Sequence, residues 1–149
     1  MKISIFKFMF IFIFGFLGPL AIVAQDIELT IVGNAENVPD ELNMRQLKSV
    51  LRGEKLRWDS GASIKIALMK TNTPIGKSTC EKIYDMTGNE LNKYFLALVF
   101  QGKVKAPTFF NSISELENYV SQTPGAIGVS QKTTDSPNKI VLVDGNDKI

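Results

Sequence analysis

The stretch SELENYVSQTPGAIGVS, Ser114 to Ser130, decides the fold. Ile113, Leu116 and Val120 recur at helical spacing, and either Ser112 with Glu115 or Ser114 with Glu117 supplies a capping box at the start. Pro124-Gly125 ends that helix, because proline lacks the N–H and glycine accepts the positive φ that a tight reversal needs. Ala126-Ile127-Gly128-Val129 then reads as a short buried strand, with Gly128 permitting a close neighbour. A helix reversing directly into a buried strand is a piece of a layered α/β domain.

Moving outward, the same alternation continues. Downstream, KIVLV (Lys139 to Val143) supplies another strand. Upstream, Leu91, Tyr94, Phe95, Leu98 and Val99 place a helix over Asn89 to Gln101, closed by Gly102 with Pro107 beyond. Ser78 and Glu81 form a second capping-box pattern, predicting a helix through Tyr84 after a polar loop, Lys70 to Lys77, that contains Pro74 and Gly76. Ile64, Ile66 and Leu68 alternate as a strand after the turn Trp58-Asp59-Ser60-Gly61. Met44, Leu47, Val50 and Leu51 predict a helix with Asn43 as N-cap and Gly53 as stop. The first strand is Ile27 to Val32, ending at the turn dipeptide Gly33-Asn34. The expected architecture is a layered sheet with flanking helices.

Met1 to Ala24 stands apart. It is apolar, begins with Lys2 and Lys7, holds six of the ten phenylalanines, and ends in Ile22-Val23-Ala24. It reads as a signal peptide, with an uncleaved anchor as the rival, and no lipobox cysteine follows. Cleavage would leave a domain over 25–149 and an exported protein, periplasmic or extracellular. That domain carries 15 basic and 15 acidic residues, and its longest basic cluster, Lys103 and Lys105, is too small to hold a nucleic-acid backbone.

Histidine is absent and Cys80 is the single cysteine, which excludes His-dependent catalytic triads, His-ligated metals and an internal disulfide. Cys80, at helical spacing from Tyr84, reads as a buried apolar residue, with a disulfide-linked dimer as the other reading. Glu115 and Glu117 lie two apart on a helix and point different ways, so they make no acid–base pair. No cofactor, metal or enzymatic activity is expected.

Four blocks in order resemble the substrate-binding proteins of phosphate ABC transporters, in the type 2 periplasmic-binding-protein superfamily. They are LKSVLRGEKLRWDSGASIKIALMK (Leu47 to Lys70), CEKIY (Cys80 to Tyr84), FLALVFQGKVKAP (Phe95 to Pro107) and, most closely, Ser114 to Ser130. The resemblance implies that fold in one lobe or a reduced form, a cleft that takes phosphate or another oxyanion, and a membrane transporter or envelope protein as partner. Ligand binding would be lost, weakened or completed by a second subunit.

The nearest local candidate for such a site is Gly76-Lys77-Ser78-Thr79. Gly76 allows close approach, Lys77 adds charge, two hydroxyls can donate, and a helix starting there would favour an anion. The competing reading makes Ser78 a plain N-cap completed by Glu81. The Ser-Gly-Thr run of the resembled proteins is replaced here, and Gly33-Asn34-Ala35-Glu36 stands where they place an early hydroxyl-rich loop. Trp58 beside Arg57 and Asp59 reads mainly as packing, and Arg45 and Arg52 as a solvated helix face. Two functions are therefore carried forward: an exported solute-binding protein taking phosphate or another oxyanion, and a cell-envelope interaction module that keeps the fold without a ligand.

Overall fold

A computed structural model describes residues 26–149, so the signal-peptide reading of 1–24 lies outside the described residues. The central sheet has five strands: β1 (Thr30–Gly33), β3 (Lys65–Met69), β4 (Thr108–Phe110), β5 (Ala126–Ser130) and β6 (Lys139–Ile140). They lie in the order β4-β3-β5-β1-β6. β3 runs parallel to β4 and β5, whereas β1 is antiparallel to β5 and β6. A second, two-stranded parallel sheet pairs β2 (Glu41–Leu42) with β7 (Leu142–Val143).

Four helices flank the sheet: α1 (Met44–Leu51), α2 (Pro74–Thr79), α3 (Gly88–Phe100) and α4 (Ile113–Gln122). α2 continues into a π-helical segment, Cys80–Tyr84, which stops at Asp85 in the left-handed region at φ 56°. Both faces of the sheet are covered, because Ile31, Ile66, Leu68, Ile127 and Val129 are buried on one side and Val32, Ala67 and Gly128 on the other. The layered α/β expectation holds.

The deciding stretch folds for the reasons its residues suggest. Ser112, not Ser114, caps α4 by accepting the Glu115 N–H, but the expected box is only half made, because the Glu115 carboxylate accepts the Asn111 N–H rather than that of Ser112. A side chain at Gly128 would meet Leu116 Cδ2 at 2.9 Å and Val120 Cγ2 at 3.2 Å, so glycine lets α4 lie directly on β5. Gly125 turns at φ 77°, and a Cβ there would stand 2.5 Å from the Ser63 carbonyl oxygen. Trp58, 4% exposed, donates its Nε1–H to the Gly125 carbonyl at 2.9 Å. The Trp58 turn and the Pro-Gly turn thus lock together, which confirms packing as the role of Trp58.

Asn34 does more than turn the chain. Buried beside β5, its Nδ2 donates to the carbonyls of Val120 and Ser121 at 2.8 and 3.0 Å, closing the C-terminal end of α4. Its Oδ1 accepts the Glu36 N–H at 2.8 Å. Asn34→Ala would remove the donor these two carbonyls share, leaving that of Val120 with only the 3.4 Å contact from the Thr123 N–H, and is expected to cost about 2 kcal/mol, measured as a lower urea midpoint at unchanged slope.

Four differences from the expected elements have physical causes. KIVLV divides at Val141, because Val141 donates to Ile31 in the large sheet and Leu142 donates to Asp40 in the small one. β4 was not anticipated: its three residues follow Pro107 and gain their strand conformation from pairing with β3. β2 was not anticipated either, at two residues. The fourth, at the start of α2, bears on function.

Candidate functional site

β3 delivers the chain to the edge where α2 begins. The Lys70 N–H donates to the Phe110 carbonyl at 2.9 Å, extending the β3–β4 ladder, and the Lys70 carbonyl then accepts from the Thr73 N–H and Oγ1–H. Thr73 Oγ1 also accepts the Gly76 N–H at 3.0 Å, with Pro74 in the first helical turn. Thr73 is therefore the N-cap, and the expected loop through Lys77 with Ser78 as cap is corrected. Proline tolerates that position because the first turn leaves its N–H unpaired anyway.

This correction relocates all four expected site residues. Gly76 sits within the first turn with its N–H already taken, and a Cβ there would lie 2.0 Å from the Lys70 carbonyl oxygen. Its close approach is to its own chain. Ser78 donates to the Ile27 carbonyl at 3.3 Å and Thr79 to the Ile75 carbonyl at 2.7 Å, both side chains buried. Lys77 is exposed. The helix brings the four residues together but uses the polar groups of three of them internally.

The charge around this edge is uneven. The first turn of α2 holds no acid, and exposed Lys70 and Lys77 flank it. By contrast, α3 and α4 carry acids at their starts: Glu90 accepts the Thr87 N–H at 2.7 Å and Glu115 the Asn111 N–H at 3.3 Å. The bonds from Thr87 hold the Glu90 carboxyl below its ordinary pKa, keeping it negative where an anion would sit. The first turn of α1 is also free of acid, but there Asp144 Oδ2 accepts the Met44 N–H at 3.3 Å, so among the four helix starts that of α2 has no carboxylate bonded to it.

Other expected candidates resolve into packing or ion pairs. Cys80 is buried, and burial raises its thiol pKa, with Glu81 adding to the shift. A buried, protonated thiol is a poor start for an intermolecular disulfide. Arg52 donates to the Tyr84 carbonyl at 3.0 Å and, with Lys48, faces Asp85, so it ties α1 to the π-helical segment rather than forming a free face. Tyr84 is wholly buried and donates to the Leu51 carbonyl, with burial pushing its phenol above the ordinary range. Arg45 stays exposed.

Glu117, read in the sequence as an alternative cap partner and as forming no acid–base pair with Glu115, is buried, accepting from Ser130 Oγ and Thr133 Oγ1 at 3.3 Å each. The signal available was its position one residue after Leu116 on the face that α4 lays on the sheet.

This arrangement of sheet and helices recurs in solved structures. A phosphate-transport receptor from Vibrio cholerae superposes with a TM-score of 0.64 at 16% identity, over 82% of this chain and 48% of that one. PstS from Borrelia burgdorferi gives 0.60 at 18%, over 80% and 48%. A phosphate ABC transporter substrate-binding protein from Clostridium perfringens, solved with bound phosphate, gives 0.60 at 15%, over 80% and 46%. The fold is that of these receptors. The chain spans about half the length of the structures it matches, in keeping with one lobe. No protein family and no curated protein matches it by sequence.

Proposed function

We propose that this chain is an exported, non-enzymatic solute-binding protein that takes a small oxyanion, phosphate first, at the start of α2. The observation that carries this reading is the acid-free first turn of α2, flanked by exposed Lys70 and Lys77. It lies at the C-terminal ends of parallel strands, where open α/β sheets bind their ligands. The likeness to receptors, one of them solved with phosphate bound, supports the ligand class. The apolar Met1 to Ala24 supports export, and another subunit or an envelope partner is the proposed second wall of the site.

The site is sparse. Pro74 has no N–H and those of Gly76 and Lys77 are taken by Thr73, which leaves the N–H of Ile75 and two cations. Affinity is expected in the millimolar range, about −4 kcal/mol. Titration calorimetry with phosphate, and with sulfate at matched ionic strength, tests this. Lys70→Ala and Lys77→Ala should each weaken phosphate binding about fivefold, the upper end for one exposed ionic contact. Ser78→Ala should leave binding unchanged. No heat at tens of millimolar phosphate, or phosphate binding unchanged in both lysine variants, overturns the oxyanion site at α2 and leaves the envelope interaction module as the reading.

A further inference from the structure

The sequence holds no long basic run, yet the fold gathers one. A groove of about 550 Å³ lies between the Gly53–Arg57 loop, the start of β3 and the segment Gly102–Ala106. Lys55, Arg57, Lys65, Lys103 and Lys105 line it, and no carboxylate does. Lys55 is partly neutralised by Asp59 at 2.8 Å outside the groove, and Arg57 donates to the Gly61 carbonyl at 2.9 Å. Among the described residues, Lys65, Lys103 and Lys105 take part in no ion pair and all three are exposed.

Apolar side chains stand out beside this charge. Leu56 lines the groove and is 51% exposed. Leu96, Val99 and Phe100 form an i, i+3, i+4 patch on α3 at 62, 39 and 88% exposure, and Phe100 precedes the groove-lining Gly102 by two residues. Cations next to exposed large apolar groups are the pairing that an anionic lipid interface recognises: phosphates meet the lysines and acyl chains meet the phenylalanine.

We infer that this face, built from Lys55, Arg57, Lys65, Lys103 and Lys105 with Leu56 and Phe100, docks the protein on an anionic phospholipid bilayer. The charge complementarity rejects a second copy of the same face, since five cations would meet five. The docking face is independent of the oxyanion reading. Lys65 opens β3 while Lys70 follows its other end, so the two sites lie at opposite ends of that strand.

The test is co-sedimentation of the full chain with phosphatidylglycerol-containing and with pure phosphatidylcholine vesicles. The neutral vesicles measure what the apolar N-terminal segment contributes. The preference for anionic vesicles should fall with salt, about fivefold for Lys105→Ala and again for Lys103→Ala. It should also fall with Phe100→Ser and rise with Asp59→Asn, which releases Lys55. Arg45→Glu, an exposed charge reversal at the start of α1 and outside the groove, should lower it by less than Lys105→Glu. These exposed residues leave the core intact, which an unchanged unfolding midpoint checks. Equal binding to both vesicles, indifference to the lysine variants, or capture of a polyglutamate peptide without vesicle binding overturns the proposal. Loss of phosphate binding with vesicle binding intact would sink the oxyanion site alone.

Discussion

Trp58→Ala is expected to destabilise the protein by about 4 kcal/mol. The side chain is 4% exposed and belongs to the main core, so truncation opens a large cavity that a turn locked by hydrogen bonds cannot collapse to fill. A second loss adds to the first, because the Gly125 carbonyl loses the indole N–H that reaches it across 67 positions of sequence. Total stabilities of domains this size are about 5–15 kcal/mol, so much of the margin would go. Urea denaturation followed by circular dichroism should show the midpoint falling steeply. Trp58→Phe separates the two causes, keeping most of the packing and losing only the donor, for about 1.5 kcal/mol. An alanine variant within about 1 kcal/mol of the parent, no more than one hydrogen bond is worth, would mean that the two turns do not hold each other.

That coupling shows why the fold was legible where it was. Helix α4, the Pro-Gly reversal and β5 follow from local rules: a cap at Ser112, an apolar stripe at Ile113, Leu116 and Val120, and a glycine at positive φ. Each local choice agrees with the tertiary one, so no long-range information was needed. α1 was legible in the same way, with Asn43 and Gln46 forming a reciprocal cap and Gly53 at φ 75° after it. β2, β4 and the split of KIVLV were not, because two- and three-residue strands are defined by their partners rather than by their own pattern.

The site was harder for a related reason. The sequence reading started this helix at Ser78, with Glu81 completing a capping box, whereas Thr73 caps it with Pro74 in the first turn. The capping box is the more conspicuous in sequence because it lies next to the apolar Ile83 and Tyr84. The structure uses Thr73 instead, which reaches back to the Lys70 carbonyl while its oxygen still accepts the Gly76 N–H. That preference depends on where β3 ends and on its pairing with Phe110, neither of which a local pattern encodes. The basic groove was hidden likewise, its cations coming from separate segments.

Gly76 offers the sharpest decision between a ligand cradle and a structural necessity, through Gly76→Ala. In a helix interior exposed to solvent, alanine in place of glycine stabilises by up to about 1 kcal/mol. If Gly76 served only to admit an anion, the variant would be as stable as the parent or more so, and would lose phosphate affinity. The geometry requires the opposite. The new Cβ would fall 2.0 Å from the Lys70 carbonyl oxygen, 2.7 Å from its carbon and 3.0 Å from the Met69 carbonyl oxygen, all backbone atoms that no rotamer change can clear. Relief must come from moving α2 away from β3, which breaks the Thr73 cap and shifts buried Ile75 and Thr79. The net cost is expected to be about 3 kcal/mol, seen as a lower thermal midpoint without any ligand present. A midpoint at or above the parent's, with phosphate binding abolished, would return Gly76 to the ligand and show that the β3–α2 junction yields more readily than its packing implies.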